Sequence, residues 1–244
     1  MVDHPQARRP EQDAEGPCAD RGSDADSALL ADAWKGLDGQ IARESGIAGR
    51  LRRLSLPTRI ALAVAVAVMV PVAAAMTMLR SDFAELSIAR EAVTNGIVLV
   101  LAGAAATLAA WPMHLAPISR ARIFGLAGTT VTLAVVLALT PELHDPEPAS
   151  WSALLNSGLR CSAMGLMAAL PVGIVAYTLR RDAPGALVGA SALAGLSLLA
   201  TLSLICGYDS VHHMLLGHAA PVALVVVAAL ILQNDLRRAA PNRA

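Results

Sequence analysis

The sequence predicts an all-α protein: a six-helix transmembrane bundle behind a mostly disordered N-terminal segment that contains a short amphipathic helix. Three observations carry this. Over 244 residues, 55% are hydrophobic and only 16% charged, where a soluble domain carries about a quarter charged residues. The charge is segregated, since residues 1–59 and the short connections hold nearly all of it. Six stretches, 60–79, 92–111, 123–140, 161–179, 185–206 and 214–233, contain no Asp, Glu, Lys or Arg. At about 1.5 Å per residue each crosses a hydrocarbon core of about 30 Å. A soluble helical bundle needs a polar face on its helices, and none of the six shows one.

The first apolar run begins near residue 60, behind a polar start without the pattern of a cleaved signal peptide, so the first span is expected to stay as an anchor. Arginines set the expected topology. With the N-terminus inside, the inner segments hold Arg43, Arg50, Arg52, Arg53, Arg59, Arg120, Arg122, Arg180, Arg181, Arg237, Arg238 and Arg243. The outer segments hold Arg80, Arg90 and Arg160. By the positive-inside rule both termini face the cytoplasm. Trp111, Phe124 and Tyr177 fall at inner span ends and Phe83, Trp151 and Tyr208 at outer ones, as interfacial aromatics do. The net charge of +0 gives no basic field for nucleic acid, and none is expected as a direct partner.

Residues 1–27 lack the aliphatic content to bury a core and are expected to be disordered. Residues 28–58 form a cytoplasmic amphipathic and basic segment. Leu30, Trp34, Leu37 and Ile41 recur at helical spacing and make one apolar stripe. Gly36 and Gly39 weaken that helix by up to about 1 kcal/mol each, which suits a segment that folds on a partner; an interfacial helix is the other reading. Behind the stripe, Arg50, Arg52 and Arg53 sit in a basic stretch that reads as a membrane-surface collar or as part of a docking face. Residues 59–233 form the transmembrane domain, and 234–244 a cytoplasmic tail.

The outer ends of spans 4, 5 and 6 gather the reactive side chains. The connection between spans 4 and 5 is short, which makes them antiparallel neighbours. Cys161 lies 18 residues before Leu179 and Cys206 lies 21 residues after Gly185, roughly 27 and 31 Å from the turn at helical rise. The thiols therefore reach one depth. In SLICGYDSVHHMLLGHAAP, Cys206 is followed by His212, His213 and His218. His212 and His213 read as surface residues. His218 lies about one turn inside span 6, where a polar side chain is a functional suspect. Three readings stay open: a disulfide between Cys161 and Cys206, a soft divalent metal such as zinc held by Cys161, Cys206, His213 and His218, or thiols that only pack. Cys18, in the tail, is expected to be reduced. Metalloprotease, nucleophile-elbow and phosphate-loop motifs are absent, and no enzyme activity is expected.

The chain resembles the NrsF-like family of six-span bacterial anti-sigma factors over about residues 30 to 233. AWKGLDGQIARESGIAGRLRRLSLPTR precedes span 1, LRSDF follows it, LRCSAMGLMAALPVGIVAYTLRRDAP makes span 4 and its turn, and CGYDSVHHMLLGHAAP closes span 5. The cysteine-bearing ends of spans 4 and 5, with the Arg-Arg-x-x-Pro turn between them, carry most of the match. The resemblance implies a protein that holds an extracytoplasmic-function sigma factor inactive at the inner membrane. It implies release on an envelope signal sensed by paired outer cysteines, a role that falls on Cys161 and Cys206. It also implies that the cytoplasmic N-terminal region, here the Leu30–Trp34–Leu37–Ile41 stripe with Arg50, Arg52 and Arg53, meets the sigma factor. The runners-up are a small-solute or metal transporter and a membrane scaffold without sensing.

Overall fold

The computed structural model describes residues 29–36, 38–39, 46–112, 118–141, 150–179, 185–208 and 210–238. The chain divides into two compact units, Met1–Gly46 and Ile47–Ala244. In the first, residues 29–36 are helical (α1), with Leu30 and Trp34 each 58% exposed. Leu37, Ile41 and the tail 1–27 lie outside the described residues.

The second unit contains α2 (Ile47–Arg53), α3 (Leu56–Met78), α4 (Ile88–Ala110), α5 (Arg120–Leu139), α6 (Trp151–Leu179), α7 (Ala186–Ile205) and α8 (Val211–Met214). A π-helical turn, Leu215–Ala219, joins α8 to α9 (Ala220–Arg238). No strand occurs among the described residues. Six helical segments, the last running from Val211 to Leu236, are long and apolar enough to cross a membrane; the protein is a multi-pass membrane protein. Serine starts five of the six. The hydroxyls of Ser55, Ser87, Ser119, Ser150 and Ser210 accept from the N–H groups of Thr58, Arg90, Arg122, Ala153 and His213. Each satisfies one of the N-terminal donors that a helix leaves unpaired.

One boundary differs from expectation. Span 4 starts at Trp151 rather than Cys161, so 151–160, read as part of an outer loop, is the first three turns of a 29-residue helix. Its buried residues, Leu154, Gly158, Cys161, Gly165, Ala169, Val172, Ala176 and Leu179, follow an unbroken three-four spacing. That stripe begins at Leu154, seven residues before the charge-free run, and does not stop at Arg160.

α7 is the axis of the bundle. Of its apolar window 78% is buried, against 17–39% for the other five. It packs on α3, α4, α5, α6 and α9. It is apolar all round, as a helix enclosed on every side must be. In lipid, apolar burial does not drive helices together, so close packing of small residues has to. Gly189 shows this most sharply: a Cβ there would lie 2.5 Å from the Ala109 backbone nitrogen and 2.8 Å from the Ala105 carbonyl oxygen. The α4 and α7 backbones meet because no side chain separates them. Two buried hydroxyls on α7 are paired. Ser197 Oγ donates to the Ala67 carbonyl at 3.2 Å, and Thr201 Oγ1 donates to the Ser197 carbonyl at 2.7 Å.

The two ends of the bundle differ. At one, Arg52 Nε donates to the Thr178 carbonyl at 3.1 Å and Arg59 Nη1 to the Leu179 carbonyl at 3.4 Å. Both engage the last turn of α6, where free carbonyls and the helix dipole favour a cation. Arg50 and Arg53 on α2 are exposed. At the other end, the 79–87 connection folds over the end of α7: the Arg80 N–H donates to the Leu204 carbonyl at 3.1 Å. The buried Arg80 guanidinium grips Asp82 with two bonds of 2.6 Å. Arg90 Nη2 donates to the Thr140 carbonyl and ties the start of α4 to the end of α5.

Two outcomes follow from this packing. Gly189→Ala should destabilise the bundle by about 1–3 kcal/mol, since the clash is with backbone that cannot move aside, whereas Gly103→Ala, which meets nothing within 4 Å, should be neutral or slightly stabilising. Unfolding titrations in mixed detergent micelles would compare them. The second concerns pH. Arg80 beside Asp82 holds its carboxyl below the usual carboxylate range. A carboxyl depressed in the folded state contributes stability above its unfolded value of about 3.9, lost as pH falls through the lower folded value. The protection factors of amides 80–86, exchange rates divided into their intrinsic values, should therefore be constant above about pH 4 and fall below it. Asp82→Asn should show the lower protection already at neutral pH.

Candidate functional site

The end of the bundle beneath the 79–87 connection holds a buried cluster of two thiols and two imidazoles. Cys161 comes from the third turn of α6, Cys206 caps the C-terminus of α7, His213 lies in α8 and His218 in the π turn. All four are buried, with His213 and His218 each 1% exposed. One ligand-capable atom from each lies within 4.8 Å of the others.

Local structure explains how four elements converge. α7 ends at Ile205, so Cys206 leaves the helix in an extended conformation (φ −91°, ψ 111°). Ser210 then starts α8 at once, and His213 on its first turn points back at Cys206. The π turn inserts one extra residue into the helical circuit and brings Gly217, His218 and Ala219 together to the buried side. Glycines allow this turn to sit against α6. A Cβ on Gly217 would lie 3.4 Å from the Cys161 Cβ, and one on Gly158 would lie 3.3 Å from the Leu216 Cβ. Ser162 Oγ reaches the Leu216 and Gly217 carbonyls at 3.2 and 3.3 Å, a donor for the carbonyls of the widened turn.

Inside the cluster, Cys161 Sγ and Cys206 Sγ are 3.2 Å apart, and Cys206 Sγ lies 3.3 Å from His213 Nε2. His213 Nδ1 is 3.1 Å from Ser157 Oγ. The His213 ring stands 5.1 Å from Tyr208 at 60° and 5.8 Å from His218 at 69°. Neither ring nitrogen of His218 has a hydrogen-bond partner among the described residues. A cleft of about 50 Å³, lined by Arg80, Glu91, Asn95, Cys206, Met214 and His218 among others, opens beside the cluster. It offers room for a few waters and a way in.

The depth argument from spacing is therefore correct, and the two cysteines face one another. The surface placement of His213 is not: it is buried, because α8 starts at Val211, ahead of the 214–233 run, and its single turn lies against α5 and α6. His212 alone is exposed. Ser157 escaped the sequence reading. Its signal is position, one turn before Cys161 on the same helix, hidden because residues 151–160 precede the charge-free run. Leu30, Trp34, Arg50, Arg52 and Arg53 belong to other parts of the chain and form no part of this cluster.

Two chemistries are open to such a group. The sulfurs need to close by about 1.2 Å to form a disulfide, or the four donors can hold a metal. In the reduced protein, mild oxidation should join Cys161 to Cys206 within one chain. Peptide mass spectrometry would show the loss of two hydrogens at that pair, abolished in Cys161→Ser.

Comparison with known proteins adds one finding. Searches of curated proteins and of solved structures return no match. A family model described as "Negative regulator of sigma F" matches residues 46–238, which includes every transmembrane helix and all four cluster residues. By that match the chain belongs to the NrsF family, the negative regulators of sigma F.

Proposed function

We propose that this protein is an inner-membrane anti-sigma factor that holds an extracytoplasmic-function sigma factor through its N-terminal segment and releases it when an envelope signal, redox or metal, alters the thiol–imidazole cluster. Family membership supports the negative regulation of a sigma factor. The observation that supports the sensing role is the pair of facing thiols, 3.2 Å apart and flanked by two buried histidines. With both termini cytoplasmic, as the arginine distribution favours, the cluster lies at the envelope side and α1 in the cytoplasm.

The two jobs sit on different parts of the chain. Leu30 and Trp34 on α1 are exposed apolar residues suited to anchoring a partner, and a tryptophan is a frequent binding hot spot. On α2, in the second unit, Arg50 and Arg53 are exposed charged side chains open to a partner in their own right. α6 links the jobs physically. It carries Cys161 near one end, and its final carbonyls at the other receive Arg52 and Arg59. Repacking at Cys161 that shifts α6 along or about its axis moves the acceptors holding these two arginines. A coupling of about 1–3 kcal/mol, ordinary for linked sites, suffices to change occupancy severalfold.

Two measurements test this. In membranes containing the full chain, sigma factor capture should fall at least about tenfold on replacing Leu30 and Trp34 by alanine; undiminished capture refutes the assigned docking segment. A sigma-dependent reporter should respond to oxidant or metal stress with the native chain and lose that response with Cys161→Ser plus Cys206→Ser, while repression in unstressed cells persists. An unchanged response would remove the thiols from sensing.

A further inference from the structure

The cluster contains more than a thiol sensor requires. A disulfide uses two sulfurs and leaves both imidazoles idle. Yet His218 is 1% exposed with no hydrogen-bond partner on either nitrogen among the described residues. A buried polar group without a partner is unfavourable and calls for an explanation. His213 is oriented rather than idle: Ser157 engages Nδ1, which leaves Nε2 directed at Cys206. A hydrogen bond on one imidazole nitrogen, with the other aimed at a shared point, is how metal-ligating histidines are held.

We propose that Cys161, Cys206, His213 and His218 form a tetrahedral site for a soft or borderline divalent cation of the zinc type. The statement deepens the sensor reading above and rests on it only for the consequence of occupancy, not for the site itself. Donor chemistry selects the class. Two sulfurs and two imidazoles without a carboxylate exclude the hard cations magnesium and calcium and favour zinc-like ions. Charge narrows it further. Binding releases one proton from each thiol, so two thiolates and one dication sum to zero. A neutral complex suits a site at the end of an apolar bundle, where an uncompensated charge is costly. A monovalent ion on the same two thiolates would leave a net negative charge buried.

Geometry agrees. Tetrahedral coordination at the usual bond lengths sets sulfurs about 3.8 Å apart and sulfur about 3.6 Å from nitrogen. The corresponding separations here are 3.2 and 3.3 Å, so these three donors need to open by about half an ångström, while the remaining separations, all within 4.8 Å, adjust around the ion. Cys206 sits in extended chain beyond α7 and can supply that movement. The cleft beside Cys206 and His218 provides entry. Metal and disulfide exclude one another, since each requires both sulfurs; occupancy therefore shields the thiols from oxidation.

The test uses the full chain, purified in detergent, reduced and stripped of metal, with cobalt(II) as probe. One cobalt per chain should bind, with intense tetrahedral ligand-field bands and thiolate-to-cobalt charge transfer, and zinc should displace it. His218→Gln and Cys206→Ser should each weaken cobalt binding at least tenfold, and Ser157→Ala by about 10-fold. His212→Ala, at the exposed neighbour, should change nothing. Helical content and gel-filtration profile verify the fold of each variant. If His218→Gln does not fold, protection of Cys161 and Cys206 from alkylation by zinc in the native chain answers the same question. Weak octahedral bands, substoichiometric binding, absent protection, or native affinity in His218→Gln would overturn the site. Cobalt binding without sigma factor is independent of the reporter assay. Tetrahedral binding with an unchanged stress response keeps the site and removes the sensor; no binding with a thiol-dependent response does the reverse.

Discussion

A helix in lipid gains little from burying apolar side chains against its neighbours, because the tails it leaves behind are equally apolar. Close contact must come from shape, and in this protein it comes from the small residues of α7. The backbones of α4 and α7 touch at Gly189, and alanines and glycines along α7 admit α3, α6 and α9 on its other sides. The central helix is therefore held firmly at its full depth, and with it the position of Cys206 at its end. α6, packed along α7, brings Cys161 to the same level. The 3.2 Å between the sulfurs is a consequence of that axial packing.

The polar cluster is an island at the end of an apolar bundle, and its members are constrained from different directions. Cys206 and His213 are seven residues apart across a connection too short for either to wander. His218 is turned inward by a π turn, a feature that often marks functional positions in helices. Gly158 and Gly217 bring α6 and that turn close enough for Cys161 to join. None of these devices adds much stability, and the π turn gives up regular hydrogen bonding. Their common effect is to place donor atoms.

The bundle also separates its chemistry by end. Arg52 and Arg59 hold the last carbonyls of α6, while thiols, imidazoles and the Arg80–Asp82 pair gather at the opposite end. A long, regular helix between them, continuous through Pro171, is the kind of rigid element that carries a displacement from one end to the other.

The sequence by itself determined the class of the molecule. Six charge-free runs require helices, because backbone in lipid must satisfy its own hydrogen bonds. Spacing from a short turn put Cys161 and Cys206 at one depth, since helical rise is constant. The ends of the helices were less legible. Residues 151–160 look like loop by polarity, and only the buried stripe that runs through Leu154 and Gly158 into Cys161 reveals a helix, since hydropathy and helicity part company where a helix emerges from lipid. What tertiary structure alone decided is direction. Depth fixes how far along a helix a residue lies, while the facing of one thiol toward another depends on how each helix is rotated against its neighbour. The rotation of α6 and α7 follows from glycine contacts between distant segments, and the inward turn of His213 and His218 follows from a serine-started helix and one extra residue in the π turn. Those are properties of packing between elements, and no local pattern in the chain records them.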